Sequence, residues 1–169
     1  EDFHYTRLMM DFYKSVRVNG GSLDIVGKKA DFAGYKLIIV PSFVHLETEI
    51  FKKMVSSGAK ILAGPRTGIK NRNFQIPENL SLEGLGYKVK RVDALPYELP
   101  VEVEWKGQKG KLHVWREQGD SSGVSEGKSE DGFPVITSGN QGSYLCGWPD
   151  ETLLNSIMKE QMTTAGLKP

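Results

Sequence analysis

The side chains of this chain that could do chemistry are few, and their spacing excludes most of that chemistry. Cys146 lies inside the apolar run Gly142-Ser143-Tyr144-Leu145-Cys146-Gly147. A nucleophilic cysteine is presented at a strand-to-helix turn beside a base, so this position predicts a buried structural thiol. Glu102 and Glu104 project from one face of a strand, about 7 Å apart along it. Glycoside hydrolysis needs two carboxyls facing each other across a bond, whereas neighbours on one strand predict a solvated polar face. His4, His45 and His113 fall in no HxxxH or HExxH pattern, so no metal site is expected. The glycine-rich turns at 19–21 and 107–110 lack the GxGxxG spacing after a strand, and no phosphate cradle is present, so no cofactor is expected either.

Two constellations remain. The first is the turn Gly64-Pro65-Arg66-Thr67-Gly68, which follows the apolar strand Ile61-Leu62-Ala63. Many α/β enzymes keep a nucleophile or a phosphate site at this place, but Pro65 lacks an N–H and the turn has neither Ser nor Cys. Its glycines permit tight geometry, and Arg66 offers a planar fork of donors for carboxylates or carbonyls. Two roles stay open for it: tying down the following segment IKNRNFQIP within the domain, or contacting a partner across a subunit boundary. The second constellation is Trp105, with His113 and Trp115 on the strand face opposite Leu112 and Val114. These rings could stack on a sugar or a partner, or simply cover a hairpin.

The elements that position these residues follow from periodicity. Tyr5, Leu8, Met9, Phe12 and Val16 recur at helical spacing, and Asn19-Gly20-Gly21 ends the pattern. Leu23, Ile25 and Val26 predict a short strand, 36–40 a more apolar one, and Leu46, Ile50, Phe51, Met54 and Val55 a second helix closed by Gly58. After the strand at 61–63 the period changes. Tyr87, Val89 and Val92 begin a β-rich region, with a hairpin around 107–110 and a β-rich insertion spanning about 98–118. Residues 119–132, almost wholly Gly, Ser and charge, predict a mobile loop. A strand through 142–147 and a helix capped by Asp150 and stopped by Gly166 complete the chain. Near-continuous apolar strands alternating with helices predict a parallel sheet covered on both faces, a three-layer α/β/α fold.

At 169 residues the sequence predicts one domain, spanning 1–169. Its 22 basic and 21 acidic residues give a formal charge of +1, which disfavours nucleic acid or an anionic membrane as partner. No apolar run approaches the ~20 residues of a membrane span. The first residue is Glu1 instead of Met, inside a helical pattern, which predicts a piece of a longer protein.

Taken together, GYKLIIVPSFVHLETEIFKKMVSSGAKILAGPRTGIKNRNFQIP, the later YKVKRVDALP and the closing FPVITSGNQGSYLCGWPDETLLNSIMKEQMTTAG resemble the trimerisation domain, domain B, of glycoside hydrolase family 42 β-galactosidases. The likeness covers most of the chain and is weakest over 98–132. It implies a flavodoxin-like domain, akin in fold to class I glutamine amidotransferases, that follows a catalytic (β/α)8 barrel and helps assemble trimers. It places the catalytic carboxylates and the galactoside in the barrel, so no catalytic residue is expected here. It also implies a homo-oligomeric, bacterial-type soluble enzyme, with a cytoplasmic location favoured. Amidotransferase relatives carry a nucleophilic Cys after the strand matching 59–63, where this chain has Gly64-Pro65-Arg66. In the family a further strand precedes the helix that starts here near His4, central in the sheet, and its absence implies an open slot or an exposed edge, which favours association or rearrangement. Two other functions stay open: an amidotransferase-like or hydrolytic enzyme using Cys146 or the Glu102 and Glu104 pair, and a carbohydrate-binding module using Trp105 or Trp115.

Overall fold

The computed structural model describes residues 3–168 apart from 72, 74, 77–79, 82 and 83. In chain order its elements are α1 (Tyr5–Val18), β1 (Leu37–Val40), α2 (Thr48–Ser56), β2 (Lys60–Ala63), β3 (Leu80–Ser81), β4 (Tyr87–Ala94) and β5 (Val101–Trp105). There follow β6 (Gln108–Ser121), β7 (Val124–Ser129), β8 (Pro134–Ser138), β9 (Gly142–Leu145), β10 (Gly147–Pro149) and α3 (Glu151–Thr164). The fold is mixed α/β with a largely sheet core. One sheet runs in the order β1-β2-β9-β8-β7-β5-β6-β4-β3, with β10 pairing β6. Among the described residues β1–β2 and β2–β9 pair in parallel, and the other ladders are antiparallel.

The parallel end is covered on both faces. Leu37, Ile39, Leu62 and Leu145 pack with α1 and α3, through Leu8, Phe12, Val16, Leu154, Ile157 and Met158. Their strand neighbours Ile38, Val40, Ile61, Ala63 and Tyr144 pack with Phe51 and Met54 of α2. The alternation explains why β1, Leu37-Ile38-Ile39-Val40, is apolar at every position and why Ile61-Leu62-Ala63 of β2 are apolar in succession. Asp150 caps α3 by accepting from Leu153 N–H at 2.9 Å, and it also accepts from Lys111 N–H at 2.6 Å, fastening the helix start to β6.

Three expectations change. Residues 21–27 carry no regular secondary structure and belong to no strand, and Ile25 is 69% exposed. Residues 21–26 line a groove of about 520 Å³ together with Leu37, Ile38 and Ile39 of β1, the last strand of the sheet at that end. The predicted strand at 23–26 therefore has no ladder beside it. Second, the predicted loop at 119–132 is largely strand. Its first residues finish β6, paired with β4, and β7 pairs with β5 and β8. Backbone pairing on both sides of β7 compensates for the missing apolar side chains, and Gly119 and Gly123 allow the close approach, since a Cβ there would stand 2.0 Å from Lys88 O and 2.1 Å from Ser138 O. Third, the β-rich part is not confined to 98–118; it extends from β3 to β10.

Candidate functional site

The turn after β2 is shaped by contact with the end of β1. Gly64 N–H donates to Val40 O at 2.8 Å, and a Cβ on Gly64 would stand 2.0 Å from Pro41 O. Thr67 is buried, its Oγ1 accepting from Phe43 N–H at 3.2 Å, and Gly68, at φ 73°, donates to Phe43 O at 2.9 Å. Arg66 has φ 65°, a conformation that costs an L residue energy and that α/β enzymes use at this turn to aim a nucleophile. Here it aims a guanidinium, whose central carbon lies 4.4 Å from the Phe3 ring centre and 4.8 Å from that of Trp115.

Beneath the turn is a residue that sequence reasoning missed. Glu117 of β6 is the one acidic or basic side chain buried among the described residues. Its Oε1 accepts from Arg66 N–H at 2.8 Å and Trp115 Nε1–H at 3.1 Å, and its Oε2 from the Tyr144 hydroxyl at 2.6 Å. Its own N–H donates to Cys146 O at 2.7 Å, and its carbonyl accepts from the Tyr87 hydroxyl at 3.1 Å. Burial pushes the carboxyl above its ordinary value, opposed by the Tyr144, Arg66 and Trp115 donors and by the Arg66 charge. Burial likewise holds the Tyr87, Tyr144 and Cys146 groups well above their usual ranges, so they stay protonated at neutral pH.

Glu117 is inside because β6 is irregular. Alternation from Leu112 and Val114 would send Trp115 and Glu117 outward, as the sequence reading had it for Trp115. Val114 instead has φ 66°, and the β10–β6 register slips here, Gly147 facing Arg116 while Pro149 faces Leu112. Leu112, Val114, Trp115, Glu117 and Gln118 are consequently all buried.

The other predicted residues lie apart from this centre. Trp105 and Trp115 are 6% and 8% exposed, so neither ring presents a stacking face to solvent. His113 is partly buried 5.6 Å from the Trp148 ring, and burial together with the Arg7 charge holds its pKa down against the pull of Asp11 and Asp150. Glu102 and Glu104 are exposed side by side on β5, and Glu102 pairs with Lys111 at 3.2 Å. Cys146 is fully buried between β9 and β10. Among the described residues no group of acidic, His and Cys side chains is arranged to hold a metal, and no helix is long and apolar enough to cross a membrane. The centre thus joins a turn, a carboxyl and several aromatic rings in a closed polar knot, with Glu117 too enclosed to reach a substrate.

Residues 1–168 match the family model described as the beta-galactosidase trimerisation domain, and the chain belongs to that family. It is 32% identical over 172 residues to the beta-galactosidase BgaA of a Thermus species and 30% identical over 171 residues to a beta-galactosidase of Thermus thermophilus. Each alignment takes in 99% of this chain but only 27% and 26% of the relative, so the chain spans about a quarter of their length. It superposes on the crystal structure of beta-galactosidase from the psychrophilic Marinomonas ef1 with a TM-score of 0.91 at 32% identity, covering 99% of this chain and 26% of that one.

Proposed function

We propose that this chain is the non-catalytic, trimer-forming part of a larger family 42 β-galactosidase, whose galactoside chemistry resides elsewhere in the polypeptide. The carrying observation is the family match over essentially the whole chain, and the turn after β2 supports it by holding Pro65 and Arg66 where a nucleophile would stand. In the parent enzyme, removing this region should leave particles of one subunit mass by light scattering; trimers that persist without it would overturn the reading. The isolated chain should not turn over a chromogenic galactoside, and turnover abolished by Glu102→Gln or Glu104→Gln would favour the hydrolase instead.

The finer fold reading is a flavodoxin-like α/β/α sandwich, supported by α1 and α3 on one face of β1-β2-β9 and α2 on the other. The all-apolar sequence of β1, Leu37-Ile38-Ile39-Val40, suits a central strand better than an edge. The groove beside it is accordingly read as the seat of the further strand that the family resemblance implies. For the turn at 64–68, the contacts of Arg66 with Phe3 and Trp115 favour a role within the domain, directed at these two rings and not at the segment IKNRNFQIP expected from the sequence. Galactoside titration followed by Trp fluorescence tests the carbohydrate-module alternative, which requires Trp105 or Trp115 to respond.

A further inference from the structure

Phe3 stands just ahead of α1, partly buried, and its ring packs against three partners. It meets Trp148 edge-on with centroids 5.4 Å apart, meets Trp115 edge-on at 5.8 Å, and faces the Arg66 guanidinium. The His4 side chain makes no capping hydrogen bond to α1. The direction of the backbone into the helix therefore depends on how this ring is held.

Two of the three partners answer to one oxygen. Arg66 keeps its positive φ while its N–H donates to Glu117 Oε1, and the Trp115 indole is fixed by donating Nε1–H to that same oxygen. A shift of this carboxyl would move the guanidinium through its backbone and the indole through its ring nitrogen. Both surround Phe3, although Glu117 lies on β6, at a sequence separation of more than a hundred residues.

We propose that Glu117 is a positioning residue for the lead-in to α1, holding Phe3 through Arg66 and Trp115 and so fixing the direction from which the polypeptide enters this domain. The anchoring stands on these contacts alone; its consequence for a larger enzyme, a set angle between this domain and the chain before it, rests on the assembly reading.

Hydrogen exchange by mass spectrometry on the full chain tests it, with peptides covering 4–12, 64–68 and α3 read separately. In Glu117→Ala, exchange in both 4–12 and 64–68 should rise about tenfold more than in α3, which reports global opening. Glu117→Gln, whose amide oxygen can still accept both N–H groups, should restore most of the protection. Phe3→Ala should loosen 4–12 alone, and adding Glu117→Ala to it should loosen 4–12 no further. If Glu117→Ala does not fold, Trp115→Phe, which keeps a ring but removes the donor, should raise exchange in 4–12 about threefold. Exchange in 4–12 that merely tracks α3, or a loosened turn with 4–12 unaffected, would overturn the proposal.

Discussion

The parallel and antiparallel ends of the sheet are held by different means. At β1-β2-β9, the apolar side chains are divided between two helix layers, and a glycine pressed against Pro41 helps close the connection after β2. Around β4, β6 and β7, side-chain polar groups carry more of the organisation. Glu117 gathers donors from three segments, and Arg116 pairs with Asp93 at 3.0 Å and Asp131 at 2.8 Å. Asp131 sits below its ordinary value because the Ser129 hydroxyl and Arg116 together outweigh the upward push of burial. Apolar burial tolerates exchange among residues of similar volume, whereas a polar knot depends on each partner, since removing one leaves the others buried and unsatisfied. The antiparallel end should therefore be the more sensitive to single-atom changes, and the parallel end to changes of volume.

The sharpest test is Glu117→Ala. It strands the Arg66 and Trp115 N–H groups, and we expect a loss of about 3–5 kcal/mol in denaturant unfolding. A loss under about 1 kcal/mol would dissolve the contrast between the two ends. Gly64→Ala follows, at about 1–3 kcal/mol, because its Cβ would meet a carbonyl at 2.0 Å. Gly107→Ala, where a Cβ meets nothing within 4 Å but φ is +80°, should cost only about 1 kcal/mol.

A smaller effect is visible in pH. Because the folded pKa of Glu117 is raised, the fold prefers its protonated form. That contribution is fully present below the ordinary value of 4.5 and is lost as pH rises through the folded pKa. The stability of the wild-type chain relative to Glu117→Gln should accordingly fall as pH climbs from 4.5 and then level off; a difference that is flat or rising would contradict the shift. Least affected should be Glu102→Gln, which removes an exposed pair with Lys111 and should change stability by under about 0.5 kcal/mol.

The same contrast explains what could be read beforehand. Helical spacing in 5–16 and the runs at 36–40 and 61–63 carry the parallel end on their surface, because covered strands and amphipathic helices leave periodic traces. The turn at 64–68 was legible as lacking a nucleophile from its residue types alone. Glu117 was not legible, because an acidic residue in alternation with apolar ones reads as outward-facing until a bulge at Val114 shifts the phase. Nothing in the identity of Val114 announces φ 66°. Composition misled at 119–132 for a related reason: a strand flanked by β5 and β8 is held by its main chain, and the ladder takes no account of which polar side chains it carries.

Cys146 is the sole cysteine and is completely enclosed. The chain thereby comes with its own opening clock: a thiol reagent can modify it only when the layers around it part, so the labelling rate counts excursions from the native state without any engineered probe. A second cysteine placed at an exposed position, such as Lys109, could then carry a dye by itself, the native thiol staying silent until the molecule opens.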